Sequence, residues 1–83
     1  MKHERIVGAI ESLSMIEDDS TVPRNIRIRI KTTMKTLQEQ GDVSIIIDRS
    51  LEELSEVADD PNISSYTRMQ IWSIVSQLEC DEE

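Results

Sequence analysis

The sequence predicts an all-α fold, an up-and-down four-helix bundle made of two repeated helical hairpins. Three observations predict it: apolar residues recur at three- and four-residue steps, short polar loops separate these stretches, and the second half of the chain resembles the first. Two hairpins are too few for an open solenoid, which needs about three repeats to bury a continuous core. We therefore expect the hairpins to close on each other, with a dimer of hairpin pairs as the alternative.

The repeat becomes visible when the chain is shifted by 41 residues. The acidic pair at 18–19 then aligns with the pair at 59–60, and Arg27 aligns with Arg68. Matches at apolar positions are expected by chance between any two amphipathic helix pairs. The matching acidic pair and arginine favour a true repeat. The matching apolar positions are Val22 with Ile63, Ile30 with Ile71, Met34 with Val75, and Leu37 with Leu78.

The first hairpin is predicted over residues 3–40. Its first helix spans 3–16, with Gly8 allowing close approach of a neighbour and His3 as an exposed end residue. After a polar loop, Thr21 is the expected N-cap, and the second helix runs to about Gln40, with Gly41 as its C′ residue. The predicted core positions are Ile6, Val7, Ala9, Ile10, Leu13 and Ile16 in the first helix, and Val22, Ile26, Ile30, Thr33, Met34 and Leu37 in the second.

The second hairpin is predicted over residues 43–79, with helices at 43–57 and 63–79 and an acidic tail at 80–83. The β-branched run at 43–47 could form a strand, but no partner strand exists and helical spacing continues after it. Asn62 aligns with Thr21 and is expected to cap in the same way. The predicted core positions are Val43, Ile46, Ile47, Leu51, Leu54 and Val57, then Ile63, Thr67, Ile71, Ile74, Val75 and Leu78.

Composition limits the possible functions of this 83-residue, single-domain chain. Its net charge is −8, with +1 in residues 1–41 (seven basic, six acidic) and −9 in residues 42–83 (two basic, eleven acidic). The acidic half argues against a general binder of nucleic acid or membrane surfaces. The single cysteine, Cys80, is interpreted as an incidental thiol in a reducing cytosol, so we expect a cytoplasmic protein. No apolar run is long enough to span a bilayer, and no leader sequence is recognised.

The sequence offers no catalytic, metal-binding or phosphate-binding motif, so we expect neither an enzyme nor a cofactor or small-molecule ligand. One histidine and one terminal cysteine cannot supply a catalytic triad. The acidic pairs at 18–19 and 59–60 lack the spacing of a calcium loop. Their ordinary role is favourable charge near a helix N-terminus.

Two surfaces are candidates for binding a partner. The first is a basic stripe on the second helix, formed by Arg24, Arg27, Lys31 and Lys35. It could bind phosphates or an acidic partner, but a solvated face whose charges pair with the acidic third helix is the simpler interpretation. The second surface contains Trp72, which aligns with Lys31, and Arg68 one turn before it. Trp72 lies either at an interface or at the edge of the core.

The segment TVPRNIR at 21–27, and DPN at 60–62 followed by Arg68, Ile71-Trp72, Ser76 and Leu78-Glu79, resemble two signature segments of a small archaeal family, the uncharacterised protein family UPF0147. The resemblance covers most of the chain, with both segments in the expected order and spacing. It implies a four-helix bundle and an archaeal, cytosolic setting, but no catalytic residue, cofactor or partner. Ile63 stands where many relatives are expected to have methionine.

These observations favour a small helical interaction module that acts as a homodimer or as a subunit of a larger assembly, through Trp72 and the adjoining arginines. The alternative is an accessory factor that contacts RNA or a ribonucleoprotein through the basic stripe.

Overall fold

The computed structural model describes residues 2–79, with the backbone alone for residues 2 and 3. These residues form four α-helices and no strand, which confirms the predicted fold class. The helices are α1 (Lys2–Glu17), α2 (Arg24–Leu37), α3 (Val43–Ala58) and α4 (Ser65–Glu79). The interpretations of the His3 side chain, of Cys80 and of the acidic tail at 80–83 lie outside this description.

The four helices close into an up-and-down bundle of about 35 × 22 × 19 Å. The main packing partners are α1 with α2, α2 with α3, α3 with α4, and α4 with α1. In this ring α2 and α4 occupy opposite corners. The α1–α2 and α3–α4 loops therefore lie at one end of the bundle, and the α2–α3 loop lies at the other.

The core is aliphatic and follows the predicted arcs, with two exceptions. Val7 is 43% exposed because a single helical step of about 100° turns it away from Ile6 and towards solvent. Val43 is also exposed, because it is the first residue of α3 and lies at the open end of the bundle. The largest fully buried aliphatic side chains are Leu13, Ile16, Ile26, Ile30, Leu54, Val57, Ile71 and Leu78.

The predicted caps of α2 and α4 are wrong. Thr21 donates its amide and its hydroxyl to Asp19 Oδ1, at 2.9 and 2.7 Å, so the aspartate turn engages the residue expected to cap. Pro23 occupies the N-cap position of α2 without a side-chain cap. At α4 the cap is Ser64, whose hydroxyl oxygen accepts the amide of Thr67 at 3.1 Å.

The second helix also ends earlier than predicted, at Leu37 rather than Gln40. Gln38 is the C-cap, and its backbone amide donates to the carbonyls of Lys35 and Thr36. Gly41, expected as the C′ residue, lies in the following loop with φ of +138°, a conformation that disfavours other residues. Asp42 then caps α3, its carboxylate accepting the amides of Ser44 and Ile45.

Candidate protein-interaction surface

Of the four residues of the basic stripe, only Arg27 is engaged by another residue among those that the structure describes. Arg24, Lys31 and Lys35 are exposed on the outer side of α2. Their side chains form no hydrogen bond or ion pair with any residue in the described range 2–79. The exposed side chain of Ile28 lies among them, at 55% exposure. Three positive charges are thus available to an acidic surface.

The two matched arginines, Arg27 and Arg68, hold the loops that precede their helices. Arg27 donates from Nε to the carbonyl of Val22 at 3.0 Å. Arg68 donates from Nε to the carbonyl of Ala58 at 2.8 Å and from Nη2 to that of Asp60 at 3.1 Å. Both were predicted as partner-binding residues, but Arg27 directs one donor and Arg68 two donors at backbone carbonyls of the preceding loop. The repeated arginine therefore has a folding role in each copy.

The repeated aspartates have a matching role in the same loops. Asp19 accepts the amide of Thr21, and Asp60 accepts the amide of Asn62 at 2.8 Å. The Thr21 hydroxyl, then the Thr21 amide, lower the pKa of Asp19 below its ordinary value; desolvation opposes them, and the charge of Arg27 makes the smallest contribution, which lowers the pKa. Within residues 2–79, no group of three or more His, Cys, Asp or Glu side chains is placed to hold a metal ion.

An arginine outside the basic stripe, Arg29, contacts acidic residues of the third helix and of the loop after it. Arg29 contacts Asp60 Oδ2 at 3.6 Å and Glu56 Oε1 at 3.9 Å. Arg29 lies on the α3 side of α2, within ion-pair distance of both carboxylates. The expectation that the basic stripe pairs with the third helix is therefore wrong for the described residues, and the stripe remains open to solvent.

A polar contact between α2 and α3 was missed by the sequence analysis. Glu53 accepts the hydroxyl of Thr33 at 2.9 Å, and it shares the hydroxyl of Thr36 with the backbone carbonyl of Thr32, each at 3.2 Å. Both threonines are buried, so the carboxylate satisfies hydroxyl groups that water does not reach. The position of Thr33 within the apolar arc was a signal that it needed a polar partner.

The outer side of α4 presents large apolar side chains to solvent. We call Ser65, Met69, Trp72 and Ser76 the α4 face; they occupy the positions that Arg24, Ile28, Lys31 and Lys35 occupy in α2. Met69 is 71% exposed and Trp72 is 42% exposed. The neighbouring Tyr66 is 69% exposed, so both aromatic residues of the chain lie on this helix and outside the core.

The structure does not bring the two candidate surfaces together. Because α2 and α4 occupy opposite corners of the bundle, the basic stripe and the α4 face point in opposite directions. Arg68, predicted beside Trp72, does lie on α4 one turn away from it. A single partner that binds both surfaces would have to wrap around the bundle.

An apolar cleft at the end of the bundle that holds the α2–α3 loop was not predicted either. It has a volume of about 440 Å³ and is formed by α1, the α2–α3 loop and the start of α3. It was not predicted because Val7 and Val43, which help to line it, were expected to be buried. A smaller cleft of about 290 Å³ contains Arg5, whose Nη1 donates to the carbonyl of Leu78 at 3.0 Å.

The fold and these surfaces define a small all-α bundle protein with exposed helical faces. Residues 1–80 match the model of the uncharacterised protein family UPF0147, and the chain belongs to this family. The family predicted from the two signature segments is therefore confirmed. None of the helices formed by residues 2–79 is both long and apolar enough to cross a membrane.

The relatives are similar over nearly the whole chain. The UPF0147 protein of Methanocaldococcus jannaschii is 39% identical over 77 residues, which are 92% of this chain and 83% of the relative. The UPF0147 protein of Sulfurisphaera tokodaii is 36% identical over 76 residues, 90% of this chain and 85% of the relative. The crystal structure of the unknown function protein MMP1188 has a TM-score of 0.88 and 31% identity, covering 95% of this chain and 91% of that one.

Proposed function

We propose that this chain is a non-catalytic helical interaction module of the cytoplasm that binds another protein through the α4 face. The observation that supports the proposal is the exposure of Trp72, Met69 and Tyr66 on one helix, while the core is built from aliphatic residues. Tryptophan, tyrosine and methionine are enriched at protein interfaces, and tryptophan is prominent among the residues that dominate binding energy. A lone exposed apolar residue means little, but three on one helix indicate a contact surface.

Charge also favours a protein partner for this surface. The four residues of the α4 face carry no charge, whereas three of the matched positions in α2 are cationic. An uncharged face with a central tryptophan is typical of the buried centre of an interface, where charged residues are depleted. Arg68 lies beside it and supplies a polar edge.

The proposal is tested by capturing partners with three tagged baits in lysate of the native host. The baits are the wild type, Trp72→Lys and Ile28→Lys. Ile28→Lys is the matched control, because it also adds one lysine at an exposed apolar position but on the opposite corner of the bundle. An untagged copy of the chain is added so that self-association is also detected.

We expect at least one protein, or the untagged copy, to be retained by the wild type and by Ile28→Lys but lost with Trp72→Lys. Retention of the same proteins by all three baits would contradict the proposal. Circular dichroism of each bait establishes that loss of binding does not arise from unfolding.

We also propose, as a second candidate, that the basic stripe contacts phosphate groups of RNA. The supporting observation is that Arg24, Lys31 and Lys35 have no ion-pairing partner within residues 2–79. Binding of labelled RNA at low salt is expected to weaken as salt is added, because released counterions drive phosphate contacts. The variant with all three residues changed to Glu should not bind, and absence of wild-type binding at low salt would remove this candidate.

A further inference from the structure

We infer that the partner of the α4 face is a second copy of this chain, bound as an antiparallel pair of α4 helices. This inference rests on the proposed function and names the partner of the same surface. It is supported by the distribution of charge, by the positions of the two charged residues of α4, and by the sizes of the side chains on the α4 face.

The distribution of charge selects this helix for self-association. A chain with a net charge of −8 repels its own copies, so two copies should meet where charge is lowest. Among the 15 residues of α4 only Arg68 and Glu79 are charged. By contrast, α2 carries five basic residues, and α3 carries four acidic residues and one arginine. α1 carries two basic and three acidic residues, so α4 has the fewest charged residues of the four helices.

The two charged residues of α4 favour an antiparallel arrangement. Arg68 lies in the first turns of the helix and Glu79 is its last residue. Antiparallel pairing brings Arg68 of each copy towards Glu79 of the other, whereas parallel pairing brings like charges together. No hydrogen bond engages Arg68 Nη1 within residues 2–79, so that atom is available to a carboxylate. Antiparallel pairing also places the positive end of each helix dipole beside the negative end of the other, which is favourable.

The sizes of the side chains on the α4 face also favour the antiparallel arrangement. Met69, Trp72 and Ser76 follow one another at steps of three and four, the spacing by which packed helices interlock. Antiparallel pairing about the middle of α4 places the large Met69 of one copy against the small Ser76 of the other. The tryptophans then lie next to each other near the twofold axis. The surface is thus complementary to itself in both size and charge.

The test combines the mass of the particle with the environment of Trp72. The chain of 9.5 kDa should approach twice that mass in sedimentation as its concentration rises from micromolar to millimolar. Trp72 is the only tryptophan, so its emission should shift to shorter wavelength over the same concentration range. A particle whose mass remains that of one chain overturns the inference. Doubling of the mass without a shift in the Trp72 emission also overturns it.

Matched variants locate the contact. Trp72→Lys should raise the dissociation constant of the dimer by roughly tenfold or more, as expected for a central aromatic residue. Ile28→Lys, which makes the same change in charge on α2, should leave the constant unaltered. Equal weakening by both variants would show that the effect is not specific to the α4 face, and would overturn the assignment to α4.

A third variant tests the orientation. Glu79→Gln should weaken an antiparallel dimer, because it removes two contacts with Arg68. It should tighten a parallel dimer, because it removes repulsion between two carboxylates. Tightening would overturn the antiparallel arrangement. A wild type that remains monomeric but captures another protein in a Trp72-dependent manner would overturn this inference and leave the proposed function intact.

Discussion

The comparison of α2 with α4 separates what folding requires from what it leaves free. Their inward positions match: Ile30 and Ile71 align in the repeat and are both fully buried. Their outward positions differ, with Lys31 in one copy and Trp72 in the other. Because both helices pack against α1 and α3, the core constrains the inward side of each. We therefore expect function to depend on the outward positions, where the copies have diverged.

The largest effect should come from the inward positions and should be equal in the two copies. Ile30→Ala and Ile71→Ala each remove a fully buried side chain, so each should lower the free energy of unfolding by about 2–5 kcal/mol. Urea unfolding followed by circular dichroism measures both, at one low protein concentration so that self-association does not contribute. A large loss in one variant with little change in the other would show that the two copies are not equivalent in the core.

The matched arginines should differ by the number of bonds that each makes. Arg68→Met removes two bonds to carbonyls and should lower the free energy of unfolding by about 1.5–3 kcal/mol. Arg27→Met removes one bond, so it should lower the free energy of unfolding by about 0.5–1.5 kcal/mol less than Arg68→Met does. Methionine retains an unbranched apolar side chain in both variants. If Arg27→Met is the more damaging, the bonds to the loop carbonyls do not determine the contribution.

The inward positions were predictable because a helix needs only local periodicity to define its apolar arc. Prediction was wrong at the edges of the arcs. Val7 stands next to a buried residue, but its exposure depends on where the neighbouring helices lie, which periodicity does not contain. The exposure of Val43 depends in the same way on its position at the open end of the bundle. These two errors concealed the apolar cleft.

The loops and the candidate surfaces were less predictable, for a different reason. The repeat identified Arg27 and Arg68, but their acceptors are backbone carbonyls, which leave no signal in the sequence. The roles of Thr21 and Asn62 were misassigned because each aspartate accepts the amide of the residue two positions later. The exposure of Trp72 was left open, since an amphipathic pattern places a residue at the edge of the core without fixing its burial.

A polar contact distinguishes the two hairpins in a further way. Glu53→Ala removes the acceptor of the buried Thr33 hydroxyl and leaves the Thr36 hydroxyl with the carbonyl of Thr32, so it should lower the free energy of unfolding by about 1–2 kcal/mol. The position that matches Glu53 in the first hairpin is Ser12, and Ser12→Ala should change stability by less than about 0.5 kcal/mol. Thermal unfolding of the two variants measures the difference. Similar effects would mean that the contact between α2 and α3 adds no stability beyond that of an ordinary side chain at this position.

The smallest effect concerns the two loops, which share an aspartate but differ in the next polar residue. Asp19 accepts the hydroxyl of Thr21, whereas the matching residue in the other loop, Asn62, has no hydroxyl. Thr21→Val removes that bond and should raise the pKa of Asp19 towards its ordinary value, as measured by NMR titration of the carboxyl carbon. Asn62→Val, in the other loop, is the matched control and should leave the Asp19 titration unchanged.

The sign of the pH dependence follows from this shift. A lowered pKa means that the folded state favours the ionised carboxylate. The bonds from Thr21 therefore stabilise the fold above the ordinary pKa of Asp19, and this stabilisation is lost as the pH falls through the lower folded-state pKa. Thr21→Val should be slightly less stable than the wild type at neutral pH, and the difference should shrink in acid. An unchanged Asp19 pKa in this variant would mean that the amide bond, which both loops share, is sufficient to lower it.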